Sequence, residues 1–226
     1  MPFPDLADRV TEVRERIAAA VRRGGHAQVV TLCAVTKTFG ADAVRAAYAA
    51  GVRDVAENKV QEAVGKQAEV TEPVRWHLIG HLQRNKVKAL GSFAVFHALD
   101  SGRLADAIDA WARGAGRVMP VLVQVNVSGE ASKGGWSLRE LPAEAARLRQ
   151  LPGLRVDGVM TMAPFDAPEA TLRACFGGAR AARTILRDAG HPAEALSMGM
   201  SQDYEIAVEE GATLVRLGTT LFGARD

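Results

Sequence analysis

The chain alternates between short apolar segments and longer segments in which apolar residues recur at helical spacing. The first helical pattern consists of Leu6, Val10, Val13, Ile17 and Val21. It predicts an amphipathic N-terminal helix that ends at Gly24 and Gly25. Eight apolar segments follow and predict strands at 29–36, 52–56, 75–79, 94–99, 120–127, 155–160, 195–198 and 213–217. Helices are predicted between them at 41–50, 59–70, 83–90, 138–148, 169–188 and 201–211, with one more capped by Ser101.

The predicted strands are continuously apolar rather than alternating, which is typical of parallel sheets covered by helices on both faces. Eight such βα units predict an α/β fold, a single TIM-type (β/α)8 barrel over residues 1–226 with an extra N-terminal helix. The length of 226 residues suits one barrel of this kind. Periodicity alone also permits an open doubly wound sheet, so that alternative stays open at this point.

Composition narrows the possible partners. A net charge of +2 and an aromatic content of 5% do not indicate nucleic-acid binding, which needs a clustered basic face or stacking platforms. No segment approaches the about 18 apolar residues of a membrane span, and residues 1–16 lack the apolar core of a signal peptide. Cys33 and Cys175 are predicted to be buried thiols. We therefore expect a cytoplasmic protein.

Candidate chemistry lies where the predicted strands end, because barrels of this kind place their functional residues there. Lys37 follows the first strand, where apolar walls favour the neutral amine that attacks carbonyl groups. A solvated lysine is the alternative, and the position alone favours it. Segments 197–201 and 216–220 follow strands seven and eight, where these barrels bind phosphate. A phosphate there and a lysine on strand one would together suit pyridoxal 5′-phosphate (PLP).

Longer motifs carry a more specific resemblance. In chain order they are 34–37 (Ala-Val-Thr-Lys), 57–62 (Glu-Asn-Lys-Val-Gln-Glu), 76–86, 125–126, 130–134, 158–164, 197–201 with Asp203, and 215–223. Together they run through nearly the whole chain. This set resembles the pyridoxal phosphate homeostasis protein family, whose fold is related to the N-terminal barrel of alanine racemase.

The resemblance implies a role for each matching residue. Lys37 would carry PLP as an internal aldimine, and Arg216 would face the pyridine nitrogen. The phosphate would be held by Ser201, Gly218 and Thr219. Asn58 would lie near the ring, and Met198 and Met160 would wall the pocket. Ala56 departs from the family, which usually has glycine there, and would strain the second strand's loop only if its φ were positive.

The function implied by the resemblance is intracellular PLP homeostasis: the protein would hold PLP as a Schiff base on Lys37 and release or transfer it to PLP-dependent apo-enzymes. The alternative is an amino-acid racemase-like PLP enzyme. Racemization needs a second acid/base, which the related racemases take from a further domain and a partner subunit. The chain ends at Asp226, just after the last strand, and its tyrosines, Tyr48 and Tyr204, lie on predicted helices. We therefore expect a monomeric carrier without strong catalytic activity.

Two other features are given simpler interpretations. His77 and His81 are four residues apart, but on a strand and loop this spacing separates them, so no metal site is predicted. His81 is instead expected, with Gln83, Arg84 and Asn85, to shape the pocket rim or to cap a helix. Segment 129–135 lacks the spacing of a phosphate-binding loop and is interpreted as a loop over the barrel mouth, with Lys133 in solvent.

Overall fold

The computed structural model describes residues 3–130 and 134–223, and parallel strands form its centre. The strands are β1 Thr31–Val35, β2 Asp54–Glu57, β3 Arg75–Leu78, β4 Val95–Leu99, β5 Met119–Gln124, β6 Leu154–Met160, β7 Ala195–Ser197 and β8 Leu214–Leu217. Each strand pairs with the next, and β8 pairs with β1. The sheet therefore closes into a barrel, which confirms the (β/α)8 prediction and excludes the open sheet.

Helices surround this barrel. They are α1 Leu6–Gly24, α2 Ala41–Ala49, α3 Val60–Glu69, α4 Gly102–Gly114, α5 Leu141–Leu148, α6 Glu169–Asp188, α7 Tyr204–Glu209 and α8 Thr219–Phe222, with a 3₁₀ helix at Arg84–Ser92. The predicted extra N-terminal helix is confirmed as α1, which packs against α2, α7 and α8. It ends where Gly25 takes a left-handed conformation (φ 70°) and donates its N–H to the carbonyl of Val21. Within the described ranges, no helix combines the length and hydropathy that crossing a bilayer requires.

Some predicted boundaries were wrong by a few residues. The strand predicted at 120–127 ends at Gln124, because Val125 forms only an isolated bridge, with Trp136. The helix predicted to begin at Ser201 begins at Tyr204 instead. Residues 201–203 form a turn, in which the Asp203 carboxylate accepts a hydrogen bond from the N–H of Met200. An apolar pattern extends past the residues that form ladder or helix hydrogen bonds, so it overestimates element length.

Side chains of the strands alternate between the barrel interior and the surrounding helices. Cys33 and Val35 on β1 point inward and pack with Ala56 of β2 and Leu214 of β8. Ala34, between them, belongs to the larger core shared with the helices. Cys33 and Cys175 are both buried thiols, as predicted. The interior and the outer face of the same strand therefore form two separate environments.

Candidate functional site

The C-terminal ends of all eight strands share one rim, because the strands are parallel and the barrel is closed. Lys37 is half-buried in the turn after β1, and Asn58 is half-buried directly after β2. Gly80, which follows β3, allows the backbone of Asn58 to approach closely, since a Cβ at that position would overlap the Asn58 carbonyl. Lys37 and Asn58 therefore lie on adjacent positions of the rim.

The turn that carries Lys37 is held by an ionic cluster outside the barrel. Lys66 of α3 donates to the carboxylate of Glu57 (2.6 Å), to the backbone carbonyl of Thr36 (2.7 Å) and to the carboxylate of Glu62 (3.0 Å). Glu62 also accepts the backbone N–H of Thr38, which has a left-handed conformation (φ 70°). The residues on both sides of Lys37 are thus bonded to one cluster, which we call the Lys66 clamp (Glu57, Glu62 and Lys66).

Burial and hydrogen bonding have opposite effects on the pKa of Glu57 in the clamp. Burial raises the pKa of the Glu57 carboxyl, whereas the bonds from Lys66 and from the Thr36 hydroxyl (2.6 Å) oppose that rise. Glu57 Oε2 has no hydrogen-bond partner among the described residues. Lys66 is buried too, and its three bonds use all the hydrogens of an ammonium group. The clamp therefore contains a buried ion pair, Lys66 with Glu57, whose members depend on each other, and a second, partly exposed carboxylate, Glu62.

Ala56 precedes Glu57 in β2 and is fully buried. Its backbone is extended, and it is not among the residues with positive φ. The methyl group at this position therefore introduces no strain into the loop that carries Asn58.

The loop after β7 contains two of the predicted site residues, Met198 and Ser201. Met198 is fully buried and Ser201 is half-buried. Between them, Gly199 has φ 93°, and a Cβ there would lie 2.7 Å from the Cβ of Ala207, so the fold itself requires this glycine. Met160, the other predicted wall residue, ends β6 and is buried.

The loop after β7 is bonded to α8, the short helix that follows β8. Ser201 Oγ accepts the backbone N–H of Thr220 (3.2 Å), and the hydroxyl of Thr220 donates to the carbonyl of Ser201 (3.4 Å). Gly218 and Thr219 immediately precede Thr220, and the Thr219 side chain is exposed. The structure therefore brings together Ser201, Gly218 and Thr219, which come from two separate segments of the sequence.

Arg216 lies in β8 and points into the barrel, where it is 4% exposed. Its Nη1 donates to Ser197 Oγ (2.6 Å), and its Nη2 donates to the carbonyl of Thr161 (3.0 Å). Burial lowers its pKa to about 10, against the opposing charge of Asp203. Because this value is well above neutral pH, the guanidinium remains a cation and a hydrogen-bond donor.

The polar contacts of Arg216 continue through the barrel interior. Ser197 bonds to His97 Nδ1 (2.9 Å), His97 Nε2 bonds to His77 Nδ1 (2.8 Å), and His77 Nε2 bonds to Asp54 Oδ1 (2.8 Å). We call Asp54, His77, His97 and Ser197 the interior chain. Its members come from four different strands, β2, β3, β4 and β7.

Sequence reasoning missed most of the clamp and the interior chain. A signal was present, because Asp54, His77 and His97 are polar residues in otherwise apolar strand segments. Lys66 and Glu62 are oppositely charged residues four positions apart on one helix. Neither pattern identifies its partners, since those come from other elements.

The remaining predicted rim features are peripheral. His81 is exposed at the rim, and its ring bonds to Asp100 (2.9 Å), whereas His77 is inside the barrel. Among residues 3–130 and 134–223, no group of three His, Cys, Asp or Glu side chains is arranged to hold a metal ion. The prediction for Lys133 concerns a residue outside the described ranges.

Comparisons with known proteins agree on one family. Residues 10–226 match the family described as alanine racemase, N-terminal domain. The pyridoxal phosphate homeostasis protein of Pseudomonas aeruginosa is 43% identical over 224 residues, which cover 98% of this chain and 96% of that protein. Two solved structures of PipY from Synechococcus elongatus, one without PLP and one with PLP bound, are 38% identical, with TM-scores of 0.87 and 0.85. In both cases the match covers 96% of this chain and 100% of the other.

Proposed function

Since the chain belongs to the alanine racemase N-terminal domain family and, within it, to the pyridoxal phosphate homeostasis proteins, we propose that it binds PLP and acts in PLP homeostasis. Lys37 attaches the cofactor as a Schiff base. The protein is a carrier without strong catalytic activity, which releases PLP or transfers it to apo-enzymes. It does so as a monomer in the cytoplasm.

The closure of the barrel between β8 and β1 is the observation that carries this proposal. It makes the first and last strands neighbours, with Ala34 opposite Leu217 in the ladder. The turn of Lys37 therefore lies beside the loop of Gly218 and Thr219, and Ser201 is bonded to that loop. A lysine and a set of phosphate-binding groups on adjacent strand ends are what PLP attachment needs.

The donor groups on these loops fit a phosphate. PLP supplies an aldehyde that condenses with amines, and a phosphate that anchors it. Because Ser201 Oγ accepts from Thr220, its own hydrogen can be donated to an anion. A Cβ at Gly218 would meet Val35 only at ordinary contact distances of 3.5 Å or more, so the fold does not demand this glycine. Its small size is instead explained by a ligand close to the backbone.

Arg216 favours a carrier that holds the cofactor over an enzyme that uses it in catalysis. A buried cation facing the pyridine nitrogen disfavours protonation of that nitrogen, so the ring withdraws less electron density from bonds at the amine. The tyrosines also favour the carrier over a racemase. Tyr48 stacks under Arg53, and the ring of buried Tyr204 lies near Arg16 of α1, so both belong to the outer helices.

Absorption spectroscopy tests the proposal directly. Purified protein incubated with PLP should develop the visible band of a lysine-bound cofactor, and borohydride should fix the cofactor on Lys37, as read by peptide mass mapping. Lys37→Ala should lose the band and the label. Lys59→Ala is the matched control, because Lys59 is exposed near the same rim, and it should retain both. A wild-type protein that takes up no PLP would contradict the proposal.

Two further assays separate carrier from enzyme. Loaded protein mixed with a PLP-dependent apo-enzyme should restore that enzyme's activity, and Lys37→Ala treated in the same way should not. Incubation with L-alanine should leave the enantiomer ratio unchanged over many equivalents of protein. Conversion to D-alanine that depends on Lys37 would favour the racemase alternative.

A further inference from the structure

The interior chain begins at the carboxylate of Asp54 and ends at the Ser197 hydroxyl, to which Arg216 donates. Arg216 can only donate, because a guanidinium has no acceptor. At the other end the carboxylate of Asp54 can only accept. Three groups with both capacities lie between them, the Ser197 hydroxyl and the rings of His97 and His77. With both rings neutral, the carboxylate end therefore determines the direction of every bond in between.

The direction follows bond by bond. His77 Nε2 carries a proton, which it donates to the carboxylate of Asp54. In a neutral ring, Nδ1 of His77 is then an acceptor, so His97 carries its proton on Nε2 and donates it to His77. Nδ1 of a neutral His97 in turn accepts the hydrogen of Ser197 Oγ, which itself accepts from Arg216 Nη1. Both rings are neutral in this arrangement, and every bond points from Arg216 toward Asp54.

The interior chain is isolated from water along most of its length. None of its members, nor Arg216, is more than 8% exposed. Burial, the neighbouring His77 and the positive charge of Arg216 keep the pKa of His97 well below its usual value, in agreement with a neutral His97 ring. Asp54, at the start of β2, also meets the exposed Arg75 at the start of β3 (3.3 Å). The interior chain thus extends from the N-terminal end of the barrel to the interior beneath the rim.

We propose that Asp54, His77, His97 and Ser197 are positioning residues for Arg216, and that their directed hydrogen bonds fix the guanidinium as a donor toward the pyridine nitrogen of the cofactor. The second half of this statement rests on the proposed function, whereas the direction of the chain does not. If the interior chain positions Arg216 in this way, a change at Asp54, at the far end of the barrel, alters the cofactor's environment at Arg216.

The first test needs no cofactor. Side-chain ¹⁵N NMR of histidine-labelled protein at neutral pH should show His77 and His97 as neutral rings protonated on Nε2. Asp54→Ala should disturb these signals, because it removes the acceptor that sets the direction. Arg75→Ala is the matched control, since it removes the outer ion pair of Asp54 and leaves the chain intact, and it should change neither ring. A proton on Nδ1 of His97, or a cationic ring, would overturn the inference.

The second test measures the visible absorption band of the bound cofactor and the affinity for PLP. Ser197→Ala and Asp54→Ala should each shift the visible band of the bound cofactor and weaken PLP binding, about tenfold for Ser197→Ala, since a buried hydrogen bond is lost. Ser197→Thr retains the hydroxyl and should restore the band. His191→Asn is a control at a buried histidine outside the chain, which bonds to the Ala145 carbonyl, and it should leave the band unchanged.

The outcomes are distinguishable. Unchanged band and affinity in both Ser197→Ala and Asp54→Ala would overturn the positioning role, whatever their stability. A wild-type protein that binds no PLP would instead refute the proposed function, and the histidine signals would still decide the direction of the chain.

Discussion

The turn of Lys37 is held from outside the barrel, whereas Arg216 is held from within it. The Lys66 clamp uses formal charges, a buried ammonium between two carboxylates, and contacts the residues on both sides of Lys37. The interior chain uses neutral groups over most of its length and has its carboxylate at the end remote from Arg216.

The difference fits the roles proposed for Lys37 and Arg216. A lysine that forms a covalent bond needs a neutral amine, and the clamp fixes its turn through backbone groups of Thr36 and Thr38. An arginine that acts by its charge has to keep it, and a carboxylate in direct contact would neutralise its effect on a ligand. Hydroxyl and imidazole groups orient the guanidinium without cancelling its charge.

The largest expected effect is the loss of the clamp's cation. Lys66→Met leaves Glu57 buried without its partner, so the free energy of unfolding should fall by about 3–5 kcal/mol. Urea denaturation at neutral pH measures this. Lys59→Met, at the exposed position just before α3, should change it by less than about 0.5 kcal/mol. A loss below about 1 kcal/mol in Lys66→Met would mean that the clamp contributes little.

Acid should affect the two regions with opposite signs. His97 has a lowered pKa in the folded protein, so below its ordinary value of about 6.5 the unfolded chain binds a proton that the folded chain does not. Its contribution to stability is present above that pH and is lost as the pH falls, by up to about 1.4 kcal/mol per pH unit. The raised pKa of Glu57 works the other way, because there the folded chain binds the proton more readily.

A urea series between about pH 7.5 and pH 5.5 tests this difference, since a histidine titrates in that window and an ordinary glutamate does not. His97→Asn should reduce the slope of stability against pH, while Lys59→Met should leave it unchanged. An unaltered slope in His97→Asn would contradict the lowered pKa of His97, because it would mean that His97 binds protons equally in the folded and unfolded chains.

The smallest expected effect is the coupling between the two regions. The clamp lies outside the barrel and the interior chain lies inside it. Among the described residues, no side-chain hydrogen bond connects the clamp to the interior chain. The stability losses of Lys66→Met and Ser197→Ala should therefore add to within about 0.5 kcal/mol in the double variant. An interaction energy above about 1 kcal/mol would show that the two supports act as one unit.

Much of the fold could be predicted from the sequence. The eight apolar segments and the order of helices between them correspond to the observed elements, and α6 was predicted with its observed bounds. The start of α7 was not, because Ser201 resembles a helix cap but accepts its bond from Thr220 in α8. A local pattern does not contain the partner that redirects a side chain.

The sequence by itself determined which chemical groups follow each strand, including Lys37, Ser201 and Thr219. It also determined the family, through motifs that run along nearly the whole chain. Only the tertiary structure decided that β1 and β8 are neighbours, which brings residues from both ends of the chain to one part of the rim. It also decided that single polar residues of β2, β3, β4 and β7 form one chain beneath Arg216. Such contacts depend on strand register and on which face each side chain occupies, and both are properties of the closed barrel.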